Sequence, residues 1–95
     1  EGTIIMHGAI VNAGAEIGAN CIINSKALIE HDAKIGNHSH IATGSIINGE
    51  VQVGRGTFIG SGVVTKQTIS IGKGCLIGAR CTIKKDLPDN QVVKS

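Results

Sequence analysis

The chain has 95 residues with one phenylalanine and no tryptophan or tyrosine, so we expect a single domain without a conventional aromatic core. A net charge of +2 without a basic run argues against a nucleic-acid-binding protein, and the apolar runs are too short for a transmembrane helix or a signal peptide. Domains this small bury little surface, so self-association is a natural supplement to the core.

Aliphatic residues recur at every sixth position from the start of the chain. Thirteen of the fourteen are Ile or Val, and Thr65 is the exception. The series is Ile5, Val11, Ile17, Ile23, Ile29, Ile35, Ile41, Ile47, Val53, Ile59, Thr65, Ile71, Ile77 and Ile83. The position two residues earlier is small or aliphatic throughout, from Thr3 to Cys81. Because residues two apart on a strand share a face, each hexad predicts a short strand with two inward side chains, followed by a turn.

The residue after each aliphatic position indicates how the strands are joined. It is Gly or Asn in nine of fourteen hexads, which is typical of a turn with positive φ at that position. Ile-Gly or Val-Gly pairs recur every eighteen residues, at 17–18, 35–36, 53–54 and 71–72, so three hexads make one coil. The sequence therefore predicts an all-β parallel β-helix, a triangular prism of about five coils and about 24 Å in length.

The outward residues at mid-strand define three faces of this prism, which we number in chain order. The first carries Ile4, Ile22, His40, Phe58 and Leu76, the second Ile10, Leu28, Ile46 and Val64, and the third Glu16, Lys34, Gln52 and Ser70. Two adjacent apolar faces present more apolar surface than a soluble monomer normally exposes. We therefore predict a homotrimer in which the first face of one chain packs on the second face of the next. The corner between these faces has small residues that permit close approach: Ser25, Thr43, Ser61 and Ala79.

Three of the four histidines lie in the stretch IEHDAKIGNHSH, residues 29–40. His31 falls at the corner after the second face, in one column with Gly49, whereas His40 lies on the first face. In the predicted trimer, His31 of one chain and His40 of the next face one groove. Glu30 precedes His31, and a carboxylate beside an imidazole can orient it and raise its basicity. The remaining histidines, His7 and His38, are predicted to be solvated corner residues.

The cysteines and the cations complete the candidate residues. Cys21, Cys75 and Cys81 are odd in number, lie in inward positions and have no metal-type spacing, which favours core packing in a reduced, cytoplasmic protein. Arg55 and Lys73 stack one coil apart at the corner that would face the neighbour's His31, and such cations can hold phosphates. The segments GRGTFIG and GKGCLIG lack the phosphate-loop pattern and are predicted to be coil turns.

Two segments carry a resemblance to a known family: INSKALIEHDAKIGNHSHIATGSIINGEVQVGRGTFIGSGVV and IGKGCLIGARCTIKKDLPDN. They resemble the bacterial sialic acid O-acetyltransferases and nucleotide-amino-sugar N-acetyltransferases, a family of hexapeptide-repeat acyltransferases. The resemblance implies a left-handed β-helix, a trimer that uses acetyl-CoA and no metal, and active sites between chains. It also implies roles for single residues. His31 matches the general base and Glu30 the acid that polarises it, His40 a histidine of the acetyl-CoA site, Gly49 a glycine whose N–H lies near the thioester carbonyl, and Asn24 an active-site asparagine.

We therefore expect an acetyltransferase that moves acetyl from acetyl-CoA to an amino or hydroxyl group of a bacterial surface sugar, with Arg55 and Lys73 near the phosphates of coenzyme A. The β-helix is expected over residues 1–87, with a C-terminal extension over 88–95. The sugar-nucleotide-binding domain that usually begins members of the family is expected to lie outside this chain. Neither a nucleic-acid nor a membrane partner is expected.

Three alternatives remain open at this point. The first is an acetyl-CoA-binding trimer with little turnover. The second is a zinc carbonic anhydrase of the same fold, and the third is a non-enzymatic β-helical scaffold. The zinc enzyme needs three ligands and an open position, and only His31 and His40 face the groove. An ice-binding prism is disfavoured, because no outward column consists of regular threonines.

Overall fold

A computed structural model describes residues 2–94, and its strands follow the six-residue period of the sequence. Within that range there are fifteen strands of two residues each and no helix, hence no helix long and apolar enough to cross a membrane. The strands are β1 (Ile4–Ile5), β2 (Ile10–Val11), β3 (Glu16–Ile17), β4 (Ile22–Ile23), β5 (Leu28–Ile29), β6 (Lys34–Ile35), β7 (His40–Ile41), β8 (Ile46–Ile47), β9 (Gln52–Val53), β10 (Phe58–Ile59), β11 (Val64–Thr65), β12 (Ser70–Ile71), β13 (Leu76–Ile77), β14 (Thr82–Ile83) and β15 (Val92–Val93).

The strands stack into three parallel sheets, one for each face of the prism. The first face contains β1, β4, β7, β10, β13 and β15, the second β2, β5, β8, β11 and β14, and the third β3, β6, β9 and β12. Residues eighteen apart are register partners, as with Ile23 and Ile41. The molecule measures 26 × 21 × 19 Å, close to the predicted length of the prism. The prediction of an all-β parallel β-helix is confirmed.

The inward aliphatic positions form the core, as the period predicted. Six isoleucines of the central coils are fully buried: Ile23, Ile29, Ile41, Ile47, Ile59 and Ile77. Ile5 occupies the same position in the first coil but is 52% exposed, because β1 lies at the edge of its sheet. At the other end, Leu87 and Val93 pack against the core, and β15 extends the first face within the segment 88–95.

The small inward position that precedes the first face has a specific polar role. Its hydroxyl or thiol group donates a hydrogen bond to a backbone carbonyl at the corner that follows the third face. The pairs are Thr3 to Gly18 (2.6 Å), Cys21 to Gly36 (3.1 Å), Ser39 to Gly54 (3.0 Å), Thr57 to Gly72 (2.7 Å) and Cys75 to Pro88 (3.2 Å). Cys21 and Cys75 are buried, as predicted, and their thiols also donate hydrogen bonds to backbone carbonyls.

The positive-φ position of the turns differs from the prediction. The sequence predicted positive φ at the residue directly after each aliphatic residue. The structure has it at the third residue after the aliphatic one, as at Asp32 (+58°) after Ile29 and Glu50 (+61°) after Ile47. Glycine after the aliphatic residue has another cause. A Cβ at Gly36 would stand 2.6 Å from the backbone nitrogen of Arg55 in the next coil, so this position requires close approach of two backbones.

Truncation of a core residue is expected to destabilise the prism strongly. Ile47→Ala removes a fully buried side chain from a central coil and should lower the free energy of unfolding by about 2–5 kcal/mol, measured by urea denaturation at fixed protein concentration. Ile5→Ala, the same change at the exposed end of the series, is the matched control and should cost less than about 1 kcal/mol. Equal losses in the two variants would contradict the described core.

Candidate active site

His31 lies at the edge of the prism where the second face turns into the third. We call this stack of turns the second corner; it consists of residues 13–14, 31–32, 49–50 and 67–68. The imidazole is 60% exposed and lies against Gly49 of the next coil. A Cβ at Gly49 would stand 2.5 Å from His31 Nε2 and 2.8 Å from Cε1. Nε2 is therefore the ring atom closest to Gly49, and the absence of a side chain there provides the space for the ring.

The other ring nitrogen faces Asp32, a residue to which the sequence assigned no role. Asp32 Oδ2 lies 3.4 Å from His31 Nδ1. On a strand, consecutive side chains point to opposite sides, but the left-handed backbone of Asp32 turns its carboxylate back toward the ring. Gly14, one coil earlier, leaves the space, because a Cβ there would collide with the Asp32 carboxylate. The sequence feature that could have indicated this contact is the position of Asp32 within the same turn as His31.

Glu30, predicted to orient the imidazole, makes its contact elsewhere. Its Oε1 accepts a hydrogen bond of 2.7 Å from Asn12 Nδ2 in the preceding coil. The physical reason is that Glu30 stands before the turn, in the column of Asn12, whereas Asp32 stands within it. The structure thus brings Asp32 to His31 and does not bring the Glu30 carboxylate there.

His40 and Asn24 are neighbours on the first face, away from His31 of the same chain. Asn24 Nδ2 and His40 Nε2 are 3.5 Å apart, and the His40 ring stands edge-to-face against Phe58 with centroids 5.0 Å apart. Asn24 Oδ1 also accepts a hydrogen bond of 2.8 Å from the Ser25 N–H. The separation of His31 and His40 within one chain agrees with the prediction, and their meeting across two chains stays a prediction.

Arg55 and Lys73 lie at the edge where the third face turns into the first. This third corner consists of residues 19–20, 37–38, 55–56, 73–74 and 89–90. Both cations line an open cleft of about 520 Å³, together with His38 and Asp89. Asp89 Oδ1 accepts a hydrogen bond of 2.8 Å from the Lys73 N–H and so fixes that turn. His38, predicted to be a solvated corner residue, is exposed and faces the same cleft.

The sequence matches one family model, described as bacterial transferase hexapeptide (six repeats). The matches cover residues 32–67 and 50–85, which together are more than half of the chain. The chain belongs to this family. Hexapeptide repeats of this kind wind as a left-handed parallel β-helix, so the prism described above is left-handed, as the resemblance implied. His31 of this hexapeptide protein directly precedes the matched region, which begins at residue 32.

Solved structures with the same fold include acetyltransferases. A histidine-to-asparagine variant of perosamine N-acetyltransferase from Caulobacter crescentus, in complex with CoA and GDP-perosamine, superposes with a TM-score of 0.88 at 28% identity, over 99% of this chain and 48% of that one. The acetyltransferase domain of PglB from Neisseria gonorrhoeae, solved alone and with acetyl coenzyme A, superposes with a TM-score of 0.79 at 30% identity, over 99% of this chain and 49% of that one. The hexapeptide chain thus spans about half the length of these proteins. No curated protein sequence matches it significantly.

The second corner of the hexapeptide protein can carry out proton transfer. An imidazole whose Nδ1 side faces a carboxylate presents Nε2 as the proton acceptor when Nδ1 holds the hydrogen. Gly49 of the adjacent coil carries a backbone N–H, so the imidazole lies next to a residue that can donate a hydrogen bond. Among residues 2–94, no group of three or more His, Cys, Asp or Glu side chains is arranged to hold a metal ion.

Proposed function

We propose that the protein is an acetyl-CoA-dependent acetyltransferase that acts on an amino or hydroxyl group of a bacterial sugar, with His31 as the general base. The observation that carries the proposal is the position of His31 Nε2 directly against Gly49, with Asp32 at Nδ1. The two structural relatives support it, because both are described as acetyltransferases and both were solved with CoA or acetyl coenzyme A.

The chemistry requires a proton acceptor and an anion-stabilising donor. The thioester of acetyl-CoA supplies the acyl group; the acceptor nitrogen or oxygen bonds to the carbonyl carbon, and the carbon–sulfur bond breaks. His31 Nε2 takes the proton of the acceptor and returns it to the departing sulfur, so that the products are the acetylated sugar and the free thiol. The Gly49 N–H donates a hydrogen bond to the carbonyl oxygen as negative charge grows on it. Asp32 stabilises the imidazolium that forms in between.

The groove that receives these groups is proposed to lie between chains of a homotrimer. On the described chain, Ile4 of the first face is 53% exposed, Leu76 50%, and Ile10 of the second face 54%. Packing the first face on the second face of the next chain would cover these side chains. It would also bring the third corner of one chain toward the second corner of the other, and with it Arg55 and Lys73 toward His31.

A charge on the second face is expected to separate the trimer. Leu28→Lys places an ammonium group in the proposed interface and should convert trimer to monomer at micromolar concentration in sedimentation equilibrium. Gln52→Lys introduces a lysine on the polar third face instead and should leave the trimer intact. A wild-type chain that sediments as a monomer at these concentrations would remove the trimer and, with it, the shared groove.

The third corner is proposed to bind the phosphates of coenzyme A, because Arg55 and Lys73 line one cleft. Arg55→Ala and Lys73→Ala should each raise the KM for acetyl-CoA by about three- to tenfold while kcat changes little, since exposed cations contribute to binding and take no part in proton transfer. Lys34→Ala, which removes an exposed cation from the third face, is the control. A KM that is unchanged in both corner variants would place coenzyme A elsewhere.

The acceptor class and the compartment are further parts of the proposal. Nucleotide-linked amino sugars and sialic acids are the acceptors to test, which places the protein in the synthesis of cell-surface polysaccharide. A cytoplasmic setting is supported by Cys21, Cys75 and Cys81, which are all free thiols.

The test is the release of free thiol from acetyl-CoA in the presence of each acceptor, measured with the 95-residue chain and with any longer natural chain that contains it. Turnover with one acceptor class and with no other is the expected result. Coenzyme A binding in calorimetry, combined with no turnover in any chain, would contradict the enzyme and favour the alternative of a binding trimer.

A further inference from the structure

Thr65 is the one residue in the aliphatic series that carries a hydroxyl group, and it is fully buried. A buried hydroxyl costs free energy unless it has a hydrogen-bond partner. Its Oγ1 accepts a hydrogen bond of 3.1 Å from the N–H of Asn48, the residue before Gly49. The exception in the repeat thus lies one coil beyond Gly49, the residue against which the imidazole lies.

The contact replaces a regular bond of the sheet. At three other positions of this column, the N–H after the inward residue donates to a backbone carbonyl of the next coil. These bonds run from Asn12 to Ile29 (2.9 Å), from Glu30 to Ile47 (2.9 Å) and from Lys66 to Ile83 (2.7 Å). At Asn48 the N–H donates to the Thr65 hydroxyl instead, and the Thr65 carbonyl accepts a hydrogen bond of 2.7 Å from Asn48 Nδ2. The pairing of β8 with β11 accordingly includes Ile46 and Val64 but not Ile47 and Thr65.

The side chains of Thr65 and Asn48 therefore hold Asn48, the residue before Gly49, against the next coil. On the far side of the turn, the Gly49 carbonyl accepts a hydrogen bond of 2.9 Å from the Thr68 N–H, and the Glu50 N–H donates to the His31 carbonyl at 3.0 Å. The peptides on both sides of the Asn48–Gly49 peptide are thus hydrogen-bonded, and the Asn48 carbonyl accepts a hydrogen bond of 3.4 Å from the Val51 N–H. Isoleucine at position 65 would satisfy the sheet equally well, as it does at Ile29 and Ile83, so packing alone does not account for threonine.

We propose that Asn48 and Thr65 form a clamp that positions the Gly49 N–H for its hydrogen bond to the thioester oxygen. Both are positioning residues, since neither touches the reacting atoms. The inference rests on the proposed function for its effect on catalysis, and on the structure alone for its effect on Gly49. An oxyanion donor is effective only when it is held in place before the charge develops, which is what the two side-chain bonds achieve.

The test is Thr65→Val, which keeps the shape and removes the hydroxyl. The regular bond from the Asn48 N–H to the carbonyl at position 65 can then form, so the variant should fold with at least the stability of the wild type. The Gly49 amide resonance in a 15N-correlated NMR spectrum should shift, and kcat should fall about tenfold with KM values changed less than about twofold, a partial loss of one oxyanion donor. Thr65→Ser, which restores the hydroxyl, should return both the resonance and kcat toward wild-type values.

Thr57→Val is the matched control, because Thr57 is an equally buried threonine whose hydroxyl bonds to Gly72 at a different corner. It should lower stability without moving the Gly49 amide. Asn48→Ala removes the other half of the clamp, and it should move the same resonance even if Thr65→Val fails to fold.

The outcomes separate the clamp from the proposed function. A Gly49 amide that stays in place in both Thr65→Val and Asn48→Ala, or a Thr65→Ser variant as impaired as Thr65→Val, would overturn the clamp. A shifted amide supports the clamp. If kcat is then unchanged, the failure belongs to the proposed role of Gly49 in acetyl transfer.

Discussion

Replacement of His31 by alanine is expected to abolish most of the acetyl transfer without disturbing the fold. The ring is 60% exposed and contributes no core packing, so the coils should stack as before. Loss of a positioned general base typically lowers kcat by about 10²- to 10⁴-fold, and we expect a decrease in that range for His31→Ala. Affinity for coenzyme A should be nearly unchanged, because the proposed phosphate contacts lie at the third corner of the neighbouring chain.

The measurement is steady-state kinetics with the natural acceptor, together with calorimetric binding of coenzyme A and sedimentation of the same samples. Lys34→Ala is the control, because Lys34 is exposed on the third face, outside the proposed groove, and it should retain full activity. Full activity in His31→Ala would exclude His31 as the base. A loss of activity accompanied by loss of the trimer would show that the residue supports assembly instead.

The second large effect is expected from a side chain at Gly49. A Cβ there would stand 2.5 Å from His31 Nε2, so the ring must leave its place. Gly49→Val therefore displaces the base and crowds the N–H that serves the carbonyl oxygen, and kcat should fall by at least about 10²-fold. Gly44→Ala is the control. In the single chain it has no atom within 4 Å of the added methyl group, but its φ is +69°, so it should lower stability through backbone strain without displacing the His31 ring.

A double-mutant cycle checks the same contact without any assay of activity. Gly49→Ala alone should destabilise the protein, because the methyl group meets the imidazole. In the His31→Ala background the ring is gone, and the same change should cost much less. Equal costs in the two backgrounds would show that the imidazole does not lie on Gly49.

The candidate site could be predicted from the sequence only where the repeat determines the geometry. A period of eighteen places His31 and Gly49 one coil apart in one column, and the structure has them in contact. Glu30 is the opposite case. It adjoins His31 in the sequence, but its carboxylate bonds to Asn12, eighteen residues earlier, and Asp32 faces the ring in its place. Both carboxylates adjoin His31 in the sequence, but Glu30 stands before the turn, in the column of Asn12, whereas Asp32 stands within the turn and faces the ring.

The turns, too, could be predicted from the sequence only in part. The sequence indicated turns after every inward aliphatic residue, because glycine and asparagine recur there, and turns do occur at these places. It could not tell which turn residue has positive φ, since Asp32 and Glu50 adopt the left-handed region without being glycine. These residues are held by hydrogen bonds to the preceding coil, from the Asp32 N–H to the Ala13 carbonyl and from the Glu50 N–H to the His31 carbonyl.

The sequence by itself determined the class of fold, the coil length, the inward residues and the two apolar faces, because a repeat of six residues satisfies one strand geometry along the whole chain. It also determined which column holds the imidazole. Only the tertiary structure decided which carboxylate meets the ring, that Arg55 and Lys73 share a cleft, and that Thr65 interrupts the sheet beside Gly49. These contacts depend on side-chain directions and on distances of a few ångströms between coils, which a periodic pattern does not encode.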